Sequence, residues 1–571
     1  MSQVYGNFAF VLHTHLPYVL AYGKWPYGTD WLNEAVAETY IPLLNLLNRL
    51  IEEGISPKLT ISITPILTEQ LADESFKVEC VSYLQNKIDD ALANQAEFNR
   101  FNRPHMLELA KFWQDYYTRI IIDFKERYGS DLVGAFKKLQ DEGHIEIITC
   151  AATHGYLPLL SRDVSIQAQI KQGVATYSRH YDRPPRGIWL PECAHRPGYE
   201  WTPPVGEKRA AYSRKGIEEF LSESQLEYFI IDSHLLAGGK AMGVYIDRFE
   251  VLQRLWSRFE KEYQERLEDP EKSPYEVYLV GASLEGKKPV AVFTRDSATG
   301  LQVWRREHGY PGEGWYLDFH KKHFPGGHRY WRVTSAKCDL ADKWEYKPDK
   351  AAERVPEDAG HFKDMIKNRL RTHYQAAGKP GILVSPFATE LFGHWWFEGC
   401  DWLYHVLKGV AQDPEIELTT CGSYLDQNPP SRVVSLHEGS WGEGGSHRIW
   451  LNDWTEWTWK HIYKAEAEMQ ELAKEFGERE DREMRAILKQ AARELLLLQS
   501  SDWQFLISTW AARDYAEIRL VEHYQNFKRL AVMARRYGRG EWMDPGEWNF
   551  LGYCEEKNRP FSDVEPKWWA G

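Results

Sequence analysis

The chain is poor in cysteine: seven in 571 residues, scattered, with no Cys-x-x-Cys spacing. That excludes a disulfide-stapled scaffold and a Cys-built zinc fold, and it suits a reducing compartment. No apolar run approaches the roughly 18 residues that a membrane span needs. The N-terminus, Met1-Ser2-Gln3-Val4-Tyr5-Gly6, has neither the basic stretch nor the apolar core of a secretory leader. A cytoplasmic protein without a membrane partner is expected. Positive charge is also short. Lys and Arg number 70 against 83 Asp and Glu, a net charge of −13, which argues against nucleic acid, since that partner selects basic surfaces. There is no internal repeat and no low-complexity tract.

What the chain has in quantity is aromatic side chains, with 24 Trp, 31 Tyr and 24 Phe. Many lie in polar, glycine-rich stretches such as 438–459, where a core is not expected. A pyranose ring has a C–H face and a rim of hydroxyls. Tyr and Trp offer the matching combination of a flat apolar face and a polar tip.

Short apolar runs alternate with helical patterns through the first 430 residues. Residues 7–16 read as a strand ending in His13 and His15. Further strands are expected at 59–63, 145–149, 188–190, 228–231, 290–293 and 382–385. Strands alternating with helices imply a parallel sheet or barrel, and polar residues recurring just after strand ends imply a site on one face. Residues 69–140 read as charged helices packed outside the barrel or inserted in it. The pattern assigns 1–234 and 289–428 to a barrel and 235–288 to an inserted lid and subdomain. Residues 429–571 form a helical C-terminal domain, with an apolar stripe at Met484, Ile487, Leu488, Ala491, Leu495 and Leu498.

The residue that organises this pattern is Glu192, in Gly187-Ile188-Trp189-Leu190-Pro191-Glu192-Cys193-Ala194. Pro191 ends the apolar strand because it has no N–H for the ladder, and a carboxylate follows at the strand mouth. Either it is catalytic or it is a buried acid paired with a cation. His13 and His15, two apart, share a strand face. They read as metal ligands with His154, His234 and Asp296, as neutral hydrogen-bond partners of substrate hydroxyls, or as structural histidines. No close Cys/His cluster adds weight to the metal reading. Glycoside chemistry with retention needs a second carboxylate about 5–5.5 Å away. Asp232, Asp296 and the 387–390 turn are the candidates for it.

Several segments together resemble glycoside hydrolase family 57, and most closely its 1,4-α-glucan branching enzymes, over nearly the whole chain. They are His13-Thr14-His15-Leu16-Pro17-Tyr18, Thr153-His154-Gly155-Tyr156, Trp189-Leu190-Pro191-Glu192-Cys193-Ala194 and Phe293-Thr294-Arg295-Asp296. Leu301-Gln302-Val303-Trp304, Gly309-Tyr310-Pro311-Gly312, Glu390-Leu391-Phe392-Gly393-His394-Trp395-Trp396-Phe397-Glu398-Gly399 and Ser501-Asp502-Trp503 complete the set. The resemblance implies an α/β fold, a distorted (β/α)7 barrel with a helical lid insertion and an all-helical C-terminal domain. It implies Glu192 as nucleophile and an α-glucan (amylose, amylopectin or glycogen) as substrate. His13, His15, His154, Tyr245, Asp296, Trp304, His394, Trp395, Trp441, Trp450 and Asp502 are implied as substrate-binding residues, with Trp304, Trp441 and Trp450 as stacking walls and Tyr245 on the lid. No metal or organic cofactor is implied. A monomer or small homo-oligomer is expected.

One position departs from the family. Its acid/base aspartate, two residues before Glu390, is Ala388 here. A methyl group cannot protonate a leaving oxygen, a contribution of about 10²–10⁴-fold. Three explanations stand: a substitution made to trap substrate, a homologue without activity, or another carboxylate such as Glu390 or Asp296 in its place. The alternatives to branching are a 4-α-glucanotransferase or α-amylase of the same family, or a catalytically silent glucan-binding protein.

Overall fold

The computed structural model describes residues 3–206, 210–241, 245, 249–259, 266–281, 288–304, 309–335 and 337–571. Parts of the expected lid and subdomain, 242–244, 246–248, 260–265 and 282–287, lie outside the described residues.

Parallel strands build the sheet: β1 (Gly6–Thr14), β2 (Leu59–Ile63), β3 (Ile145–Cys150), β4 (Gly187–Trp189), β5 (Tyr228–Ile231), β6 (Val290–Thr294) and β7 (Gly381–Ala388). β7 pairs with β1, and the order then runs β1-β2-β3-β4-β5-β6. A parallel bridge between Arg295 and Val384 joins the end of β6 to β7 and closes the ring. Nearly every strand residue is buried on both faces, as a parallel sheet covered by helices requires, and the runs are accordingly apolar rather than alternating. Two short strands lie off this ring: Tyr278–Val280 runs antiparallel to β6, and Ile416–Leu418 pairs with β1.

The charged stretch after β2 is helical, as expected, and includes α1 (Glu74–Arg100) and α2 (Pro104–Ile122). α1 starts on Asp73, whose carboxylate accepts from the Ser75 N–H, satisfying one of the donors that a helix start leaves free. The long helix α3 (Pro348–Ala377) precedes β7. The C-terminal region consists of α4 (Glu456–Phe476), α5 (Arg482–Leu498), α6 (Asp502–Thr509) and α7 (Arg513–Gly538), followed by a shorter helix, Pro545–Lys557. The stripe read from the sequence on α5 is fully or almost fully buried. The cysteines are free thiols. Among the described residues no helix is long and apolar enough to cross a membrane.

Candidate active site

The carboxyl ends of β1, β3 and β4 meet the C-terminal region. Backbone bridges make the junction. Gly155, after β3, pairs with Ser500, and His195, after β4, pairs with Gly439. These bridges carry Ser501, Asp502 and Trp441 to the barrel mouth from more than two hundred residues away in sequence.

Glu192 stands at the end of β4 with φ 59° and ψ 26°. His154, beyond β3, also has a left-handed backbone, φ 58°. Such conformations cost a non-glycine residue about 1–2 kcal/mol each, and they concentrate where surrounding structure holds a side chain to a task. Glu192 is 7% exposed. Its Oε2 accepts the Trp441 indole N–H at 2.6 Å and the Tyr245 hydroxyl at 2.9 Å. Its Oε1 lies 3.9 Å from His154 Nδ1. Burial pushes its pKa up to about 7, against the two donors, which favour the anion.

The three histidines form one array. His13 Nδ1 meets Ser62 Oγ at 3.2 Å, and its Nε2 meets His154 Nε2 at 3.0 Å. His15 Nδ1 meets Thr64 Oγ1 and its Nε2 meets Asp502 Oδ2, both at 3.0 Å. His154 Nδ1 meets Ser501 Oγ at 2.9 Å. The rings of His15 and His154 stack at 4.1 Å, and His13 stacks on Trp189 at 4.7 Å. Burial and the neighbouring imidazoles hold His13 and His154 well below the ordinary histidine range, so both are neutral at pH 7. For His15, burial opposes charge, but Asp502 outweighs it and the pKa rises. Donor atoms of His15, His154 and Asp502, and of His13, Cys150 and His154, lie close enough to gather around a cation. In this structure every ring nitrogen of the array has a protein partner instead.

Ala388 is the last residue of β7 and pairs in register with His13. It is the one residue of β7 that is not buried, so its methyl opens beside the histidine array. Glu390, two residues on, is buried. Its Oε1 accepts the Tyr40 hydroxyl at 2.7 Å and the His15 N–H at 3.0 Å, an anchoring arrangement for the His15 backbone.

Six of the expected substrate-binding residues pack against other protein groups in this structure. Asp296 is enclosed. Its Oδ2 accepts from Tyr275 and Arg369, and its Oδ1 accepts the Thr299 N–H at the start of a helix, Ser297–Trp304. It therefore ties α3 to the barrel, and Arg295 is held by Asp232 at 2.6 Å rather than by Asp296. His394 sits in a different cluster, its Nδ1 3.7 Å from Glu38, which pairs with Arg329 at 2.6 Å. Trp395 packs next to it, its ring centroid 6.2 Å from that of His394. Trp450 is fully buried with one face on Tyr156 at 4.4 Å, and Trp304 is buried at a helix end. Neither is an open wall. Trp441 is buried as well and contributes its N–H rather than a free face.

Sequence reasoning did not single out Ser62, Thr64, Trp189, Tyr40 or Ser501 as partners in the site. A signal existed for two of them. Ser62-x-Thr64 ends β2 with the same two-residue spacing as His13-x-His15 ends β1, and the strands pair with His13 opposite Ser62.

A family-wide profile described as glycosyl hydrolase family 57 matches residues 9–437. One described as the C-terminal region of 1,4-alpha-glucan branching enzyme matches 461–569. A 1,4-alpha-glucan branching enzyme of Thermococcus kodakarensis is 43% identical over 561 residues, 98% of this chain and 78% of that protein. The solved structure of a GH57-type branching enzyme from Pyrococcus horikoshii is 40% identical with a TM-score of 0.87, covering 100% of this chain and 97% of that one. The alpha-amylase AmyC from Thermotoga maritima is 28% identical with a TM-score of 0.80, covering 99% of both chains. With the profile spanning most of the barrel, and a relative 43% identical over 98% of the chain, the chain belongs to glycosyl hydrolase family 57.

Proposed function

We propose that this chain is a 1,4-α-glucan branching enzyme of retaining mechanism, acting on amylose, amylopectin or glycogen in the cytoplasm, with its acid/base position vacated by Ala388. The observation that carries the reading is Glu192. It is a buried carboxyl with hydrogen-bond donors but no Lys or Arg within 4 Å among the described residues, aimed by Trp441 and Tyr245 beside the histidine array. The matched branching-enzyme C-terminal region supplies Asp502 to that same site.

Cleavage of an α-1,4 link and formation of an α-1,6 link both keep the α configuration, so two displacements are needed. Ionised Glu192 attacks the anomeric carbon and forms a β-glycosyl-enzyme while O4 departs. An acid at 388 would protonate O4 and then take the proton from an incoming O6 of another glucan segment. His13, His15 and His154 suit the hydroxyls of the ring being attacked. Water must be kept from the intermediate if O6 is to win. Tyr245, which touches both Glu192 and Trp441, would cover it.

Ala388 also favours a second reading, a glucan-binding protein that does not turn over. Glu390 and Asp296 are poor substitutes for the missing acid, since each is committed to protein partners. The two readings separate in a paired assay on amylose of this chain and its Ala388→Asp form. The branching reading expects the Asp form to lower iodine staining and create new debranchable chains, about 10²–10⁴-fold faster than the parent. If both forms bind amylose and neither creates branches, the glucan-binding reading replaces it.

A further inference from the structure

Two of the long helices begin on a basic residue rather than on a capping side chain. α1 and α5 begin on aspartates, Asp73 and Asp481, whose carboxylates accept backbone N–H groups. α2 and α3 begin on Arg103 and Lys347, with no side-chain cap. The positive end of a helix disfavours a cation by a few tenths of a kcal/mol or more. Both of these starts face one cavity of about 850 Å³.

Its walls add further positive charge. Arg332 is 6% exposed, and its guanidinium lies between Trp315 at 4.0 Å and Trp344 at 4.7 Å. Its only protein acceptor among the described residues is the Gly314 carbonyl at 2.9 Å. Lys321 stands over the Trp331 ring at 4.5 Å. Arg103 and Lys343 are neutralised by Glu345 and Asp318. Arg332, Lys321 and Lys347 have no carboxylate within 4 Å among the described residues. In a chain of net charge −13, this is a concentrated positive pocket. Trp344, 64% exposed, keeps a flat face open at its rim. A neutral glucan would use the indoles but gives no reason to gather unpaired cations around a buried arginine. A phosphate satisfies the cations and both helix starts together.

We propose that this cavity binds a phosphate carried on a sugar, as a sugar phosphate or a nucleotide, with the phosphate at Arg332 and Lys347 and the ring against Trp344. The lining residues are separate from those around Glu192, so the test does not depend on catalysis. Calorimetric titration of the full chain with glucose 1-phosphate, ADP, inorganic phosphate and maltotriose distinguishes the sources. The expected result is one-site binding of glucose 1-phosphate or ADP, about tenfold tighter than inorganic phosphate, weakened by salt, with no heat from maltotriose. Binding of ADP alone identifies a nucleotide, and of glucose 1-phosphate alone a sugar phosphate. Lys347→Ala and Trp344→Ala, both at exposed positions, should each weaken binding about tenfold without moving the melting temperature. Arg332→Gln should abolish it. The proposal is overturned if no phosphate binds, if maltotriose binds as tightly, or if the two surface variants bind like the parent.

Discussion

Neighbouring strands of the barrel end in buried carboxylates that behave oppositely. Asp232, beyond β5, is fully buried, and Arg295 holds it at 2.6 Å. Burial opposes its ionisation, but the guanidinium outweighs burial and keeps its pKa below the usual carboxylate range. Glu192, beyond β4, is almost as buried, and among the described residues it accepts from an indole N–H and a phenol O–H and lies 3.9 Å from the neutral His154. Its pKa rises to about 7. The burial penalty is common to both, and the charge of the partner decides the sign. One carboxylate is fixed as an anion and joins β5 to β6. The other is left poised near neutrality, as a group that must change its bonding during a reaction has to be.

Removing the cation is the strongest way to break the contrast. Arg295→Met strands Asp232 as an uncompensated buried charge and should cost about 3–5 kcal/mol of stability at pH 7. The double variant with Asp232→Asn should recover most of it, because the penalty is the unpaired charge rather than the lost pair. Denaturant unfolding of the three proteins tests this. A small effect for Arg295→Met alone would mean that solvent reaches Asp232, and the contrast with Glu192 would fail.

Glu192 should show the opposite dependence on pH. Its folded pKa, about 7, lies above the ordinary 4.5, so the native state binds the proton more tightly than the unfolded state. The resulting stability is complete below about pH 4.5 and is lost as pH rises through 7, a change of up to about 3 kcal/mol. Glu192→Gln cannot ionise and is exempt. It should melt higher than the parent at pH 8, with the gap closing toward pH 4. Parallel melting curves across that range would sink the raised pKa.

The contrast also marks what sequence can carry. Strand positions were readable because buried parallel strands are short apolar runs, and His13-x-His15 was readable because a strand's period is two. Glu192 was readable as a carboxylate at a strand mouth, but its pairing was not, since nothing local distinguishes it from Asp232. That difference comes from Arg295, Trp441 and Tyr245, brought in by chain closure and by the bridges at Gly155 and His195. Asp296 looked as eligible as Glu192 until Arg369, on α3, was seen to reach it. The left-handed backbones of His154 and Glu192 are invisible in a sequence that places no glycine there. The family resemblance makes Trp450 a stacking wall, but Tyr156, from beyond β3, covers its face.

The finest test acts on one of the two donors that aim Glu192. Trp441→Phe keeps a ring against Trp189, which the indole meets edge-on at 5.2 Å, but removes the N–H that Glu192 Oε2 accepts at 2.6 Å. A hydrogen bond to a charged group contributes about 1.5–3 kcal/mol, and this one favours the anion. Its loss should raise the Glu192 pKa by about one unit or more. The shift can be read without restoring the acid at 388, because an activated donor such as α-maltosyl fluoride loses fluoride without protonation. Fluoride release by the parent should rise with pH to a midpoint near 7, as Glu192 ionises. In Trp441→Phe the midpoint should move up while the high-pH rate falls far less than the rate at pH 6. A uniform loss at every pH would instead assign Trp441 to shaping the site, and would leave burial alone to set the affinity of Glu192 for its proton.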